Sequence, residues 1–557
     1  MRIENWASEN CDVLIVGGGG AALRAAIEAR DSGADVLVAS KGRVGFTNNT
    51  YISAGAFAAA GLVPGSDDPA THLRDTLVGG RYLNHQKLAR TVAEQAAAQV
   101  DILRAWGVPF AMKDGALRID RAPGHGHARH VRTQTRLGSA YMTALKQEAT
   151  KRGVRFEDHV FVTRLFQFQG HAVGATGITE DGRSRAFAAC AVVLATGGYA
   201  QVYRNTNNAA GIAGDGSALA YELGVPLRDM EFVQFYPTGV GRHGNRGVLY
   251  EAVVFGAGAK LLNARGEDIL VKYGLTDPMK VTRDRVTRAV KQEIDCGLGV
   301  EGGVIMDLGP VPEGRLERLR PVLGPKWTPD RKELVVSPTT HFCMGGVVTD
   351  ERAETSVAGL FAAGEVCGGT HGANRLGGNA LTEVWAMGGI AGRQAGRWAQ
   401  GKRPGRIPSQ ALEEEKGRLE SFSGTGQGDV KKLTAALREV MWSKVGVIRS
   451  RTGLTEGLAG IEDLKSPFRK LRAATPGDLR RCLELGNMLL ISEMVCRGAL
   501  MRTETRGAHF RQDFPEEDNA LWLKNIVIRK TQGGMSLEAV PAVFDVVSLE
   551  ELMASGA

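Results

Sequence analysis

The sequence predicts an α/β protein in which an α+β segment is inserted into a βαβ-based domain and a helical domain follows. Three observations carry this expectation. Cys11–Ser40 reads as strand, glycine turn, helix and strand within about thirty residues. The stretch 225–348 changes texture to short strands and loops with aromatic and basic residues, and Gly359–Gly396 returns to strand, turn and helix. From Ser409 to about Arg506, apolar residues recur at three- and four-residue spacing. At 557 residues the chain exceeds what one core can serve. The expected divisions are 1–224 and 349–403 for the two parts of the α/β domain, 225–348 for the insertion, 404–506 for the helices and 507–557 for a tail.

Asp12–Val16 is a short apolar strand, and Gly17-Gly18-Gly19-Gly20-Ala21-Ala22 fits G-x-G-x-x-A at the turn. A helix over Ala21–Ser32 and a strand over Asp35–Ala39 complete the context in which that fingerprint binds a dinucleotide. Glycine lets the backbone approach the pyrophosphate, and the helix N-terminus favours its charge. Ser40-Lys41 stands where an acidic ribose ligand would favour NAD, which argues against that cofactor.

Gly42–Gly61 is polar, then rich in Ala and Gly, and suits a loop lying along a flat ring system. His85–Trp106 and Thr135–Arg152 read as amphipathic helices. Between them, His125, His127 and His130 form H-x-H-x-x-H; with no neighbouring carboxylate or Cys, this reads as a polar loop and not a metal set. Ala186–Gly198 is a buried strand ending in Gly-Gly, a second approach to the dinucleotide. Asp215, in Gly214-Asp215-Gly216, caps a helix or touches the cofactor. Gly359–Glu365 is a further strand and turn, followed by His371–Leu381 (HGANRLGGNAL) and an Ala/Gly-rich helix from Thr382 to about Gln400. Arg375 thus lies in a glycine- and asparagine-rich loop beside a helix N-terminus, a place suited to an anion.

The net charge is +8, spread along the chain without a dense basic run or interleaved aromatics, which fits an anionic cofactor, anionic substrate or acidic partner and not nucleic acid. The seven cysteines contain no CxxC and no iron–sulfur spacing, so a reduced, cytoplasmic setting is expected, with any membrane association through partner subunits. The sequence has neither a signal-peptide pattern at its start nor an apolar run of about 18 residues.

Several long motifs in order give a resemblance. GGGGAA at 17–22, LATGG at 194–198, GDG at 214–216, MEFVQFYPTG at 230–239, THFCMGG at 340–346, GLFAAGE at 359–365, HGANRLGGNAL at 371–381 and RTETRGAHFRQDFPEED at 502–518 span the whole chain. The chain resembles the flavoprotein subunit of the succinate dehydrogenase and fumarate reductase family, which also holds L-aspartate oxidase. The resemblance implies a Rossmann-like FAD-binding domain with an inserted α+β capping domain and a C-terminal helical domain. It implies FAD at Gly17, Gly19, Gly20, Ala21, Ala22, Asp215, Glu365, Ala380 and Leu381, with Ser40, Lys41, Asn49, Thr50 and Gly55 along the same bed. It implies that His341 and Arg375 grip one substrate carboxylate, that Arg283 transfers the proton, and that Glu251 serves with it. A small carboxylate is then the substrate and an iron–sulfur protein the electron partner.

Departures from the family pattern fall on one half of the site. Tyr236 replaces the usual His in QFHPTG, Tyr250 replaces a Thr before Glu251, and 252–258 lacks the usual Arg and second Glu. The expected reaction is interconversion of a succinate-like single bond and a fumarate-like double bond, with a substituted dicarboxylate or monocarboxylate as candidate substrate. Alternatives are an L-aspartate-oxidase-like enzyme and an electron-transfer flavin subunit with a degenerate substrate site. Asn49 stands where many members attach FAD through His, so noncovalent FAD is expected.

Overall fold

The structure is a computed structural model that describes residues 6–135, 137–241, 246–248, 254, 256–277, 281–317, 327–328, 330–424 and 428–556. It opens with β1 (Ala7–Val16), α1 (Gly20–Asp31) and β2 (Val36–Ala39), then α2 (Pro69–Gly79), α3 (Gln86–Ala105) and α4 (Ser139–Lys151). There follow β3 (Arg155–Glu157), β4 (Val160–Phe168), β5 (His171–Thr179), β6 (Ser184–Leu194) and α5 (Asp215–Glu222). The inserted segment contains β7 (Val233–Val240), α6 (Arg283–Glu293) and β8 (Glu333–Cys343). The chain returns through β9 (Leu360–Ala362) and α7 (Asn379–Ala399). It continues with α8 (Ser409–Glu420), α9 (Val430–Lys444), α10 (Arg451–Arg469) and α11 (Pro476–Met501), and closes with β10 (Lys524–Thr531), β11 (Gly534–Pro541) and α12 (Leu549–Gly556).

The main sheet has seven strands in the order β3-β2-β1-β6-β5-β4, with β9 beside β6. β3, β2, β1, β6 and β9 pair in parallel, whereas β6, β5 and β4 pair antiparallel. Val192, Val193 and Leu194 are fully buried, as a parallel strand covered on both faces requires. α1 and α7 lie against each other on one face. Their closeness explains why α7 is rich in Ala and Gly: a Cβ on Gly392 would stand 2.1 Å from the backbone oxygen of Ala25.

The insertion forms a second, antiparallel sheet in the order Arg246–Val248, β7, β8, Val304–Asp307, Lys260–Leu262. A third sheet joins Cys367–Gly368, Gly346–Val348, Leu227–Arg228, β10 and β11. The chain after Gly507, read from sequence as a polar tail with a few strands, therefore pairs with Leu227–Arg228 at the start of the insertion and shares a sheet with Gly346–Val348 at its end. The bundle of helices α9, α10 and α11 packs on α5 and the turn at Ala200–Val202, in one apolar core shared with the main sheet that includes Met441, Leu454 and Ile491. Among the described residues no helix is long and apolar enough to cross a membrane.

The loop after β2 is more ordered in form than its composition suggests. Asn49–Ile52 makes one helical turn, with the Asn48 side chain accepting from Tyr51 N, and Ala56–Ala58 pairs with His130–Arg132. That pairing also corrects the reading of the histidine segment as an ordinary polar loop. His125, Arg129 and His130 are buried, because their side chains pack under the Arg375 loop instead of facing water.

Candidate active site

One cavity of about 1630 Å³ runs between the carboxyl ends of the main sheet and the inserted sheet. Single small-molecule pockets are commonly about 300–1,000 Å³, so this volume holds a dinucleotide with room for a small substrate. At one end Gly17, Gly19, Gly20 and Ala21 line it between β1 and α1. Gly17 has a φ of +129°, and a Cβ there would meet the Ala195 oxygen at 2.2 Å. Two strand ends therefore meet at this turn without side chains between them. α1 begins with no acidic residue in its first turn; Gly20 N donates to Thr50 Oγ1 at 3.3 Å, and the N–H groups of Ala21 and Ala22 and the helix dipole remain for a pyrophosphate. Ala22 does not line the cavity; it is fully buried in the core between α1 and its neighbours.

Ser40 and Lys41 line the same end. Lys41 Nζ pairs with Asp215, and with Glu484 of α11 at 3.1 Å. Burial pulls the Lys41 ammonium down, but Asp215 and Glu484 more than offset this and hold it above its ordinary value. Asp215 also accepts from Asn487 Nδ2 at 2.9 Å. The carboxylate expected to cap a helix or touch the cofactor is thus the hub of a contact between the nucleotide part and the helical part.

Farther along, Asn49, Thr50, Gly55, Glu365, Ala380 and Leu381 line the middle of the cavity. Asn49 Nδ2 donates to Asn208 Oδ1 at 2.5 Å and Glu365 Oε2 at 3.1 Å, while its Oδ1 accepts from Ala209 N at 3.0 Å. Glu365 also accepts from Cys343 N at 3.1 Å. Burial pushes the Glu365 carboxyl up to about 7 against those donors. A carboxyl so placed can accept from a ribityl or ribose hydroxyl. The glycine cradle, the helix N-terminus and this acceptor together fit a flavin dinucleotide.

Tyr236, Arg283, His341 and Arg375 converge at the other end. Side chains alternate along a strand, so Gln234 and Tyr236 of β7 share a face while Phe235 turns into the opposite core. Gln234 Oε1 accepts from Arg375 Nη2 at 2.9 Å, and Gln234 Nε2 donates to Asn374 Oδ1 and the Arg375 backbone oxygen, both at 2.9 Å. The Arg375 guanidinium also stacks 4.6 Å from the Phe342 ring centre. Arg283 is the first residue of α6, where the helix dipole disfavours a cation. Its guanidinium lies 5.0 Å from the Tyr236 ring centre, and Tyr236 lies 5.2 Å from the His341 ring centre. Tyr236 therefore stands between two of the cationic or donor groups.

Asn207 and Asn208 orient His341. Asn207 Nδ2 lies 3.1 Å from His341 Nδ1, and Asn208 Nδ2 donates to the Asn207 oxygen and the His341 backbone oxygen. Where Asn207 Nδ2 donates to Nδ1, the proton sits on Nε2, placed to donate to a carboxylate; Asn207 Oδ1, also 3.3 Å from Nδ1, would accept from the other tautomer. Burial, then Arg375 and Arg283, holds the imidazole well below its ordinary value, so His341 is neutral at pH 7. Tyr250 and Glu251 lie outside the described residues. Sequence reasoning missed Gln234, Asn207 and Asn208, and read His130 as part of a polar loop. Gln234 lies inside a quoted motif, and the Asn-Thr-Asn-Asn run at 205–208 was the available signal for the two asparagines.

The FAD binding domain family matches residues 12–381, and the fumarate reductase flavoprotein C-terminal family matches 434–552. The chain belongs to the fumarate reductase and succinate dehydrogenase flavoprotein family. It is 37% identical over 535 residues to a subunit of the fumarate reductase (CoM/CoB) of Methanothermobacter marburgensis, covering 93% of this chain and 97% of that protein. It is 30% identical over 562 residues to the fumarate reductase flavoprotein subunit of Haemophilus influenzae, covering 94% and 93%. Its fold matches the FrdA flavoprotein of E. coli quinol fumarate reductase with a TM-score of 0.90 at 30% identity, covering 97% and 98% of the two chains. Like the family, it is an FAD-dependent oxidoreductase acting on CH–CH bonds, with the Rossmann-like domain, insertion and helical domain expected from sequence.

Proposed function

We propose that this enzyme interconverts a succinate-like single bond and a fumarate-like double bond, on a substrate whose second polar end differs from a plain carboxylate. The observation that carries the proposal is the convergence of His341, Arg375 and Arg283 on one end of the flavin cavity, with Tyr236 between Arg283 and His341. Bound FAD supplies the hydride acceptor or donor. Arg375, aimed by Gln234 and Phe342, and His341, aimed by Asn207, hold one carboxylate with charge-assisted and neutral hydrogen bonds. That grip fixes which carbon faces the flavin. Arg283 holds the proton that the opposite carbon receives on reduction or gives up on oxidation. Tyr236 offers one hydroxyl and a ring face, suited to a carbonyl, a substituted carboxylate or an apolar substituent.

FAD is proposed to be noncovalent, since Asn49 cannot form the linkage of a His and its amide is engaged by Asn208, Ala209 and Glu365. The family match and the absence of iron–sulfur cysteine spacing support a flavoprotein subunit that exchanges electrons with an iron–sulfur protein in the cytoplasm, at a membrane only through partner subunits. The name of the Methanothermobacter relative makes fumarate the first substrate to test.

Anaerobic bleaching of the flavin by succinate, substituted succinates, monocarboxylates and L-aspartate tests this reading. The expected result is fastest bleaching by a compound other than succinate. Tyr236→His should shift preference toward succinate by about tenfold, the worth of one hydrogen bond to a charged group. Fumarate turnover undiminished in wild type and unchanged in the variant would sink the altered-substrate reading.

A further inference from the structure

Beneath the Arg375 loop lie three buried imidazoles that the reaction does not use. His125 Nε2 and His130 Nε2 each stand 2.8 Å from the backbone oxygen of Gly377. Their 3.3 Å separation from each other is what two donors sharing one acceptor produce. One element farther, His72 Nε2 lies 2.9 Å from Asn379 Oδ1, and Asn379 Nδ2 donates to Thr76 Oγ1 at 2.9 Å. Gly377 is two residues from Arg375, and Asn379 opens α7 just before Ala380 and Leu381.

We infer that His125 and His130 form a paired clamp on the Gly377 carbonyl, positioning Arg375 for the substrate carboxylate and the start of α7 for the flavin. A planar trans peptide held at its oxygen fixes the chain direction on both sides. An unsatisfied carbonyl in this place would turn toward the guanidinium groups of the cavity and draw Arg283 or Arg375 off the carboxylate.

The clamp is itself held. Arg129 Nη1 lies 3.3 Å from His125 Nδ1, which makes that nitrogen the acceptor and places the proton on Nε2. Arg129 is fully buried and is fixed by both oxygens of Asp67, at 2.8 and 2.9 Å, and by Asp75 at 2.8 Å. A buried guanidinium with two carboxylates is a costly element unless its orientation matters. Burial keeps His125 and His130 neutral, so each has one N–H to give. His130 lines the cavity beside Arg283, and a Cβ on Gly377 would meet Arg283 Nη2 at 3.4 Å and the His130 ring at 3.5 Å.

These are positioning residues, and the inference rests on the cavity taking a carboxylate and FAD. The test compares His125→Leu and His130→Leu, which remove the donor, with His125→Gln and His130→Gln, whose terminal amide reaches the same place. Two constants are measured on the whole protein: FAD dissociation by flavin fluorescence, and succinate dissociation by perturbation of the bound flavin's visible spectrum. The expected result is a tenfold or greater rise in the succinate constant and a threefold or greater rise in the FAD constant for the leucine variants. The glutamine variants should return both to within threefold of wild type. Leucine variants with wild-type constants would overturn the clamp, as would glutamine variants as impaired as leucine. Should a leucine variant not fold, His130→Asn and His125→Asn, polar but too short to reach Gly377, take its place against Gln. If wild type binds no succinate, the carboxylate that bleaches its flavin fastest takes succinate's place; if it binds no carboxylate at all, the carboxylate reading fails and the FAD constant alone decides the clamp.

Discussion

Each side chain at the substrate end is held by a second group, and this sets what single substitutions should do. Arg375 uses its flat guanidinium twice, in a hydrogen bond to Gln234 and in stacking on Phe342. Arg375→Lys keeps the charge but loses both the fork and the stacking. The loss of a charge-assisted bond is worth about 1.5–3 kcal/mol, so KM for the carboxylate substrate should rise about 10- to 100-fold in steady-state kinetics. Glu365 carries the opposite lesson. Its folded value of about 7 lies above its ordinary 4.5, so the folded state retains a proton that the unfolded chain releases. Its contribution to stability is then full below pH 4.5 and is lost as pH rises through 7. In the FAD-free protein the difference in melting temperature between wild type and Glu365→Gln should widen from pH 4.5 to 7 in favour of the glutamine variant. A difference independent of pH would refute this. The sequence disclosed His341, Arg375 and Tyr236 because they sit inside long motifs. It did not disclose Asn207 as the partner of His341, since that contact spans 134 positions and only folding brings the residues together.

Among the elements, those with strong local signals are legible in the sequence. The βαβ unit combines an apolar strand, a glycine turn and a helix within one short window, and its helix in the structure begins and ends within about a residue of the expected bounds. The loop Gly42–Gly61 is harder, because its helical turn and short strand are stabilised from outside, by His130–Arg132 and by Asn208 and Glu365. The same contacts bear on the cofactor. With an amide at position 49, held in a hydrogen-bond network, the flavin has no nucleophilic ring nitrogen from that turn. Acid precipitation should therefore leave the yellow colour in the supernatant; colour retained in the pellet would show a covalent link. The histidine segment 125–130 is illegible for a related reason. Its sequence is polar, as a surface loop is, and only the packing around Gly377 shows that His125 and His130 have a buried partner.

At the scale of the whole molecule, the parts are joined by charge as well as by apolar packing. Arg502, Glu231, Glu504 and Arg506 are all fully buried, and Arg502 bonds Glu231 at 2.8 Å and Glu504 at 2.9 Å. Glu231 leads into β7, Arg502 ends α11, and Glu504 and Arg506 open the last segment, so the network ties the insertion, the helices and the C-terminal strands. Breaking a buried pair from one side costs about 3–5 kcal/mol. Arg502→Leu should lower stability by that amount in denaturant titration, and wild type should unfold by calorimetry as one transition rather than as separate domains. Two well-separated transitions in wild type would refute the coupling.

The third sheet carries a consequence for how the protein is made. Leu227 and Arg228 pair with Val347 and Gly346 on one side and with Ile528 and Val527 on the other. The ribosome produces the first partners about 120 residues apart, and the strand that completes the sheet some 180 residues after the second. Throughout that interval Leu227 and Arg228 have one open edge, which β10 covers when it arrives. Translation thus imposes a schedule: the residues of the carboxylate clamp and the flavin bed leave the ribosome before the hairpin that closes the sheet at the root of the insertion.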